Sequence, residues 1–167
     1  MSGGRDDRRR ILLSGPLAAL AALIADQSLK AWQIAFFAAR GGEPVEITPF
    51  FNFVMIWNRG ISFGAFAQGS DGGRWILIAV TAAITVAVAV FMLQARERGS
   101  AIGYGLIVGG ALGNITDRLL RGAVADGFDF HIGNWHWPAF NLADSSIFIG
   151  AALLIIISLF PAADKPK

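Results

Sequence analysis

Long apolar runs alternate with short polar connections along this chain, and the lengths of the runs predict its elements. Residues 1–10, MSGGRDDRRR, read as a polar, disordered tail ending in three arginines, and from Ile11 to Ala39 one mostly apolar stretch is interrupted by Asp26, Gln27 and Lys30. Its first half, ending in small residues, resembles a cleavable signal peptide. The apolar pattern continues well past Lys30, however, and covers the roughly 20 residues needed to cross hydrocarbon, which predicts an uncleaved spanning helix over 11–39. Trp75 to Leu93 carries no charge and predicts the second span. The third, over 101–120, carries Gly105, Gly109 and Gly113 at intervals of four, a spacing that lets helices approach closely. The fourth covers 142–160, before a short tail, 161–167, with Lys165 and Lys167.

Between the first two runs the texture changes. Val45 to Thr48 alternates, Phe50 to Trp57 is aromatic and β-branched, and after Asn58, Arg59 and Gly60 a further short segment runs from Ile61 to Phe66. Residues 41–73 therefore predict two or three strands around a turn, lying beside the headgroups or offering edge hydrogen bonds to an extended peptide. Residues 121–140, with Trp135, Trp137 and Pro138, read as a connecting loop with a short helix or turn at the interface. The expected fold is an all-α integral membrane domain of four helices with a small external β segment.

Composition supports that class: of 167 residues, 54% are hydrophobic and only 16% charged, where a soluble domain has about 25% charged. A net charge of +2 leaves no nucleic-acid footprint, and the absence of cysteine excludes disulfides and thiolate nucleophiles. The basic residues fix an orientation. Arg8, Arg9 and Arg10, then Arg96 and Arg98, then Lys165 and Lys167 share one side, which the positive-inside rule makes cytoplasmic. Both termini are then cytoplasmic, and the strands and the 121–140 connection face outward.

The chemistry lies in the acids. Asp117, Asp126, Asp129 and Asp144 fall between the last two apolar runs, and carboxylates at the edge of a hydrocarbon layer are costly enough to suggest function. Two that share one proton split their pKa values into an acid and a base, the machinery of aspartyl proteolysis. Duller accounts exist. Asp26 and Lys30 form an i,i+4 pair that lowers the cost of both charges. Asn114, Asp117 and Arg118 could satisfy the end of the third helix, and Asn141 and Asp144 could be the N-cap and N3 of the fourth. A proton or cation relay would also use acids, but along a path toward the bilayer midplane. His131 and His136 give little support for a metal site, and the chain has no nucleotide, zinc-protease or serine-hydrolase motif.

Asp26-x-x-x-Lys30, Asn58-x-Gly60, Gly113-Asn114-x-x-Asp117-Arg118, Val124-x-Asp126 and Phe140-Asn141-x-Ala143-Asp144 together resemble the motifs of lipoprotein signal peptidases, or signal peptidase II, in order and spacing. The resemblance implies a bacterial inner-membrane aspartic endopeptidase that removes signal peptides from diacylglyceryl-modified prolipoproteins, cutting before the lipidated cysteine. It implies four membrane helices, a periplasmic β-cradle and active site, no metal or organic cofactor, a monomer among membrane lipids, and sensitivity to globomycin. On this resemblance the catalytic pair falls on Asp126 and Asp144. Asn58, Gly60, Asn114, Asp117, Arg118 and Asn141 form a supporting or substrate-binding shell, with Asp26 and Lys30 nearby. Ala125 departs from the Val or Thr common in the family, and spacing alone does not separate Asp126 from Asp129, which stays the alternative.

Overall fold

The computed structural model describes residues 3–60 and 71–160. Four helices, α1 (Gly3–Ala39), α2 (Asp71–Gln94), α3 (Arg98–Arg121) and α4 (Leu142–Leu159), accompany four strands, β1 (Val45–Thr48), β2 (Phe51–Asn58), β3 (Val124–Ile132) and β4 (Trp135–His136). Residues 3–10, expected as a polar tail, are the first turns of α1. The segment Ile61 to Phe66, Lys165 and Lys167 lie outside the described residues.

Three helical segments, Arg8–Ala39, Gly72–Gln94 and Leu142–Leu159, are long and apolar enough to cross a membrane. Leu17, Leu20, Ile24, Val80, Ile84, Phe148 and Ile155 on them are exposed, while Asp26, Lys30, Gln33, Asn114 and Asp117 are buried. An apolar exterior this extensive marks a chain surrounded by lipid. α3 packs against α1, α2 and α4 and is less apolar, because glycines, Asn114, Asp117 and two terminal arginines occupy it. The glycines set its approach. A Cβ at Gly105 or Gly109 would meet the α1 backbone carbonyls of Gly15 and Ala19, and one at Gly110 the carbonyl of Ala143 in α4. The predicted small-residue face is thus the α1 contact.

The strands form one antiparallel sheet in the order β1-β2-β3-β4. β1 lies where the alternation placed it and β2 where the aromatic and β-branched run did. The 121–140 connection, however, is mostly strand: α3 stops at Gly122, in a left-handed conformation at φ 77°, and β3 begins two residues later. Aspartate and glycine are poor strand formers, so Asp126, Gly127 and Asp129 obscured the pattern in sequence. β2 also contains a bulge. Phe53 pairs with Phe128 and Ile56 with Asp126, so two β2 residues stand opposite Gly127 alone. An added residue resets the alternation of side chains. Asn52 consequently faces Asp129 and Asn58 shares the opposite face with Asp126.

Candidate functional site

The site grows from a buried polar stripe on α1. Asp26, Lys30 and Gln33 recur at i, i+4 and i+7, so they share one helix face turned toward α3 and the sheet. Lys30 is 1% exposed and its ammonium has three partners: Asp26 at 2.9 Å, Asp117 at 2.8 Å and the Asn114 side-chain oxygen, to which it donates at 3.1 Å. With its three donors used, Lys30 has none left for a substrate. Asp117 also pairs with Arg121, accepts from Gln27 at 3.1 Å and accepts the Ala125 amide at 3.2 Å, which ties α3 to the first turn of β3. Asp26 accepts the Ala143 amide at 2.9 Å and so holds the start of α4. Gly113 admits this carboxylate, since a Cβ there would stand 2.5 Å from its oxygen.

Asp126 and Asp144 come together above this cluster. Asp126, on β3, is 2% exposed and accepts from Asn58 at 3.1 Å and from Asn141 at 2.7 Å. Asp144, partly exposed in the first turn of α4, accepts from the Asn114 side chain at 2.8 Å and from the Asn141 amide at 3.2 Å. Asn141 therefore bridges the two acids. Its own oxygen accepts the Asp144 amide, completing the capping box expected at this helix start, so the cap and the bridge are one residue. β3 is brought alongside by Phe140, whose carbonyl accepts the Gly127 and Phe128 amides. Burial above all, helped by the charge of Asp144, raises the Asp126 carboxyl to about 6 against the lowering pull of the bonds from Asn58 and Asn141 and of the Lys30 charge.

Asp129 takes the other face of the sheet. It accepts from Asn52 at 3.0 Å and meets His136 Nδ1 at 2.8 Å; burial opposes its charge, yet these two bonds hold its carboxyl below the ordinary range. The His131 ring stacks on that of His136 at 4.9 Å. Among the described residues no group of three or more acids and histidines is arranged to hold a metal ion.

Most of the residues singled out in sequence converge: Asp26, Lys30, Asn58, Asn114, Asp117, Asp126, Asn141 and Asp144 are joined by direct hydrogen bonds and ion pairs. Gly60 joins through its amide, which donates to Asn58 at 3.0 Å and orients that side chain. Arg118 donates to the Asn114 carbonyl at 3.4 Å and lies in the field of Asp144, Asp126 and Asp117. Asn114 and Asp117 do not serve the end of α3, which runs on to Arg121. Four contributors were not anticipated: Gln27, Asn52, Arg121 and Gln33. Gln33 donates to the Val54 carbonyl at the bulge, 2.8 Å away, and to the Asp126 carbonyl at 3.0 Å, and a Cβ at Gly127 would collide with its amide. Its place on the stripe of Asp26 and Lys30 was the available signal.

The chain is similar to known proteins in both sequence and fold. The family model described as signal peptidase (SPase) II matches residues 18–160. The chain is 45% identical over 147 residues to a lipoprotein signal peptidase of Serratia marcescens, covering 88% of this chain and 82% of that one. It is 44% identical over 154 residues to one of Methylorubrum extorquens, covering 92% and 90%. A bacterial membrane enzyme solved by the in meso method at 2.3 Å superposes with a TM-score of 0.71 at 30% identity, covering 92% of both chains.

Proposed function

Since the chain belongs to the signal peptidase II family, a family of membrane proteases that cleave signal peptides from prolipoproteins, we propose that its reaction is run by Asp126 and Asp144 as an aspartic pair. The observation that carries this assignment is the Asn141 bridge, which holds the two carboxylates to one residue while Asp129 is turned to the other face. Asp126, dry and raised to about 6, is suited to carry the shared proton, and Asp144, nearer to water, to act as base.

In the proposed cycle Asp144 takes a proton from a water as its oxygen attacks the scissile carbonyl carbon, and Asp126 gives its proton to the carbonyl oxygen. The gem-diol collapses with Asp126 recovering a diol proton and Asp144 protonating the departing amine as the C–N bond breaks. Arg118 is the cation placed to meet substrate; Lys30 holds Asn114, and Asn114 holds Asp144. No step calls on a metal or organic cofactor.

The finer setting belongs to the same reading. α3 is the fourth span, the sheet is the periplasmic cradle, and both termini are cytoplasmic at the inner membrane of a bacterium, as the arginines at Arg8–Arg10, Arg96 and Arg98 favour. The substrate is the diacylglyceryl-modified prolipoprotein, cut before its lipidated cysteine by a monomer that globomycin inhibits.

Cleavage of a lipidated prolipoprotein in detergent tests the pair. Asp126→Asn and Asp144→Asn should each lose at least about a hundredfold in rate while remaining folded, since asparagine keeps the size and capping ability of aspartate. The double variant should be little worse than either single one. Asp129→Asn should cleave; a dead Asp129→Asn beside an active Asp126→Asn would move the pair by three residues.

A further inference from the structure

A second cleft, of about 810 Å³, opens between the start of α1 and the end of α2. Arg8 lies 18 residues before Asp26, about 27 Å along the helix at 1.5 Å per residue, so this cleft is remote from the carboxylates. Arg8 and Arg96 supply its polar rim with Gln94, and Ile11, Leu12 and Leu93 its apolar wall. Neither guanidinium has a hydrogen bond or ion pair among the described residues. Among the described residues no acid lines the cleft, and Glu97, next in sequence, stands at the N-cap position of α3 without a side-chain cap bond. The lining changes from guanidinium to leucine over one helical turn of α1, from Arg8 to Leu12, and over three residues at the end of α2, from Arg96 in the connection to Leu93. Leu12 and Leu93 are 40% and 57% exposed.

A soluble phosphate would use only the two arginines and leave the leucines bare. A ligand that uses both halves is anionic at one end and hydrocarbon at the other. We propose that this cleft binds one anionic phospholipid, its phosphate between Arg8 and Arg96 and its acyl chains along Leu12 and Leu93. Such a lipid would clamp the first turns of α1 to the connection between α2 and α3, independently of the carboxylate chemistry.

Native mass spectrometry of the full chain in a neutral detergent, titrated with dioleoylphosphatidylglycerol, dioleoylphosphatidylcholine or glycerol 3-phosphate, tests this. One phosphatidylglycerol should be retained in preference to phosphatidylcholine, with glycerol 3-phosphate held far more weakly. Arg8→Gln/Arg96→Gln should weaken phosphatidylglycerol by roughly thirtyfold, the loss of two cationic contacts. Arg40→Gln, which removes a charge at the far end of α1, should not. Equal retention of the two lipids, phosphatidylglycerol unaffected by the double variant, the same loss in Arg40→Gln, or glycerol 3-phosphate bound as tightly as the lipid would each overturn the proposal.

Discussion

Asp126 shows what burial does to a carboxylic acid. A carboxyl whose folded pKa stands above its unfolded value favours folding while it is protonated. That contribution is intact below about pH 4 and is lost as the pH rises through about 6, at a cost of roughly 3 kcal/mol. Thermal unfolding in detergent should therefore show wild-type stability falling between about pH 4 and pH 7, a slope that Asp126→Asn flattens. The same proton is the one the pair needs, so kcat/KM should decline about tenfold per pH unit above about pH 6, and a flat profile from pH 5 to 8 would contradict the assigned roles. Single residues were legible in sequence where charge made them conspicuous: Asp26, Lys30, Asp117, Asp126 and Asp144 stand out of apolar text. Gln33 and Asn52 did not, because a neutral amide gives no sign of burial until its partners are known, and those partners are backbone carbonyls of Val54 and Asp126 and the Asp129 side chain.

Elements were legible in proportion to how uniformly one period filled them. α2 and α4 follow their apolar runs to within a few residues, β1 its alternation and β2 its aromatic and β-branched run. β3 was hidden, since Asp126, Asp129 and Gly127 replace the β-branched residues that would announce a strand, and its partner β2 lies 66 residues upstream at the Asn58 to Val124 pair. No local signal reports a bulge, yet the bulge in β2 decides which asparagine faces which acid. Glycine spacing on α3 carried more than was asked of it, because separate glycines serve α1 and α4. Gly109→Leu should force α1 from α3 and pull Lys30 away from Asn114 and Asp117. We expect loss of folded protein on size-exclusion chromatography, whereas Leu112→Ala, at an exposed position of the same helix, should elute as wild type.

At the scale of the whole molecule the four-span reading turns on α3, the described helix that falls outside the three segments apolar enough to cross a membrane. An alkaline-phosphatase fusion at Gly99, in the first turn of α3, should be inactive and one at Gly133, beyond its end, active; equal activity at both would take α3 out of the span count. The charge cluster makes such a crossing feasible. Asp26 pairs with Lys30 and Asp117 with Arg121, each an acid four residues ahead of its base on the same helix. During synthesis α1 reaches the translocon long before α3 exists, so the cross-pair of Lys30 with Asp117 is not there to help either helix in. Each acid brings its own counter-ion on the same helix, so neither carboxylate has to enter unpaired. Measured with glycosylation reporters on isolated α1, Asp26→Ala/Ser28→Asp should insert less efficiently than wild type, because it sets the acid on the far side of the helix from Lys30; equal insertion would refute the idea. The ion cluster beneath Asp126 and Asp144 is thus assembled from two prefabricated halves, and the order in which the ribosome delivers them becomes immaterial to the electrostatic cost of entry.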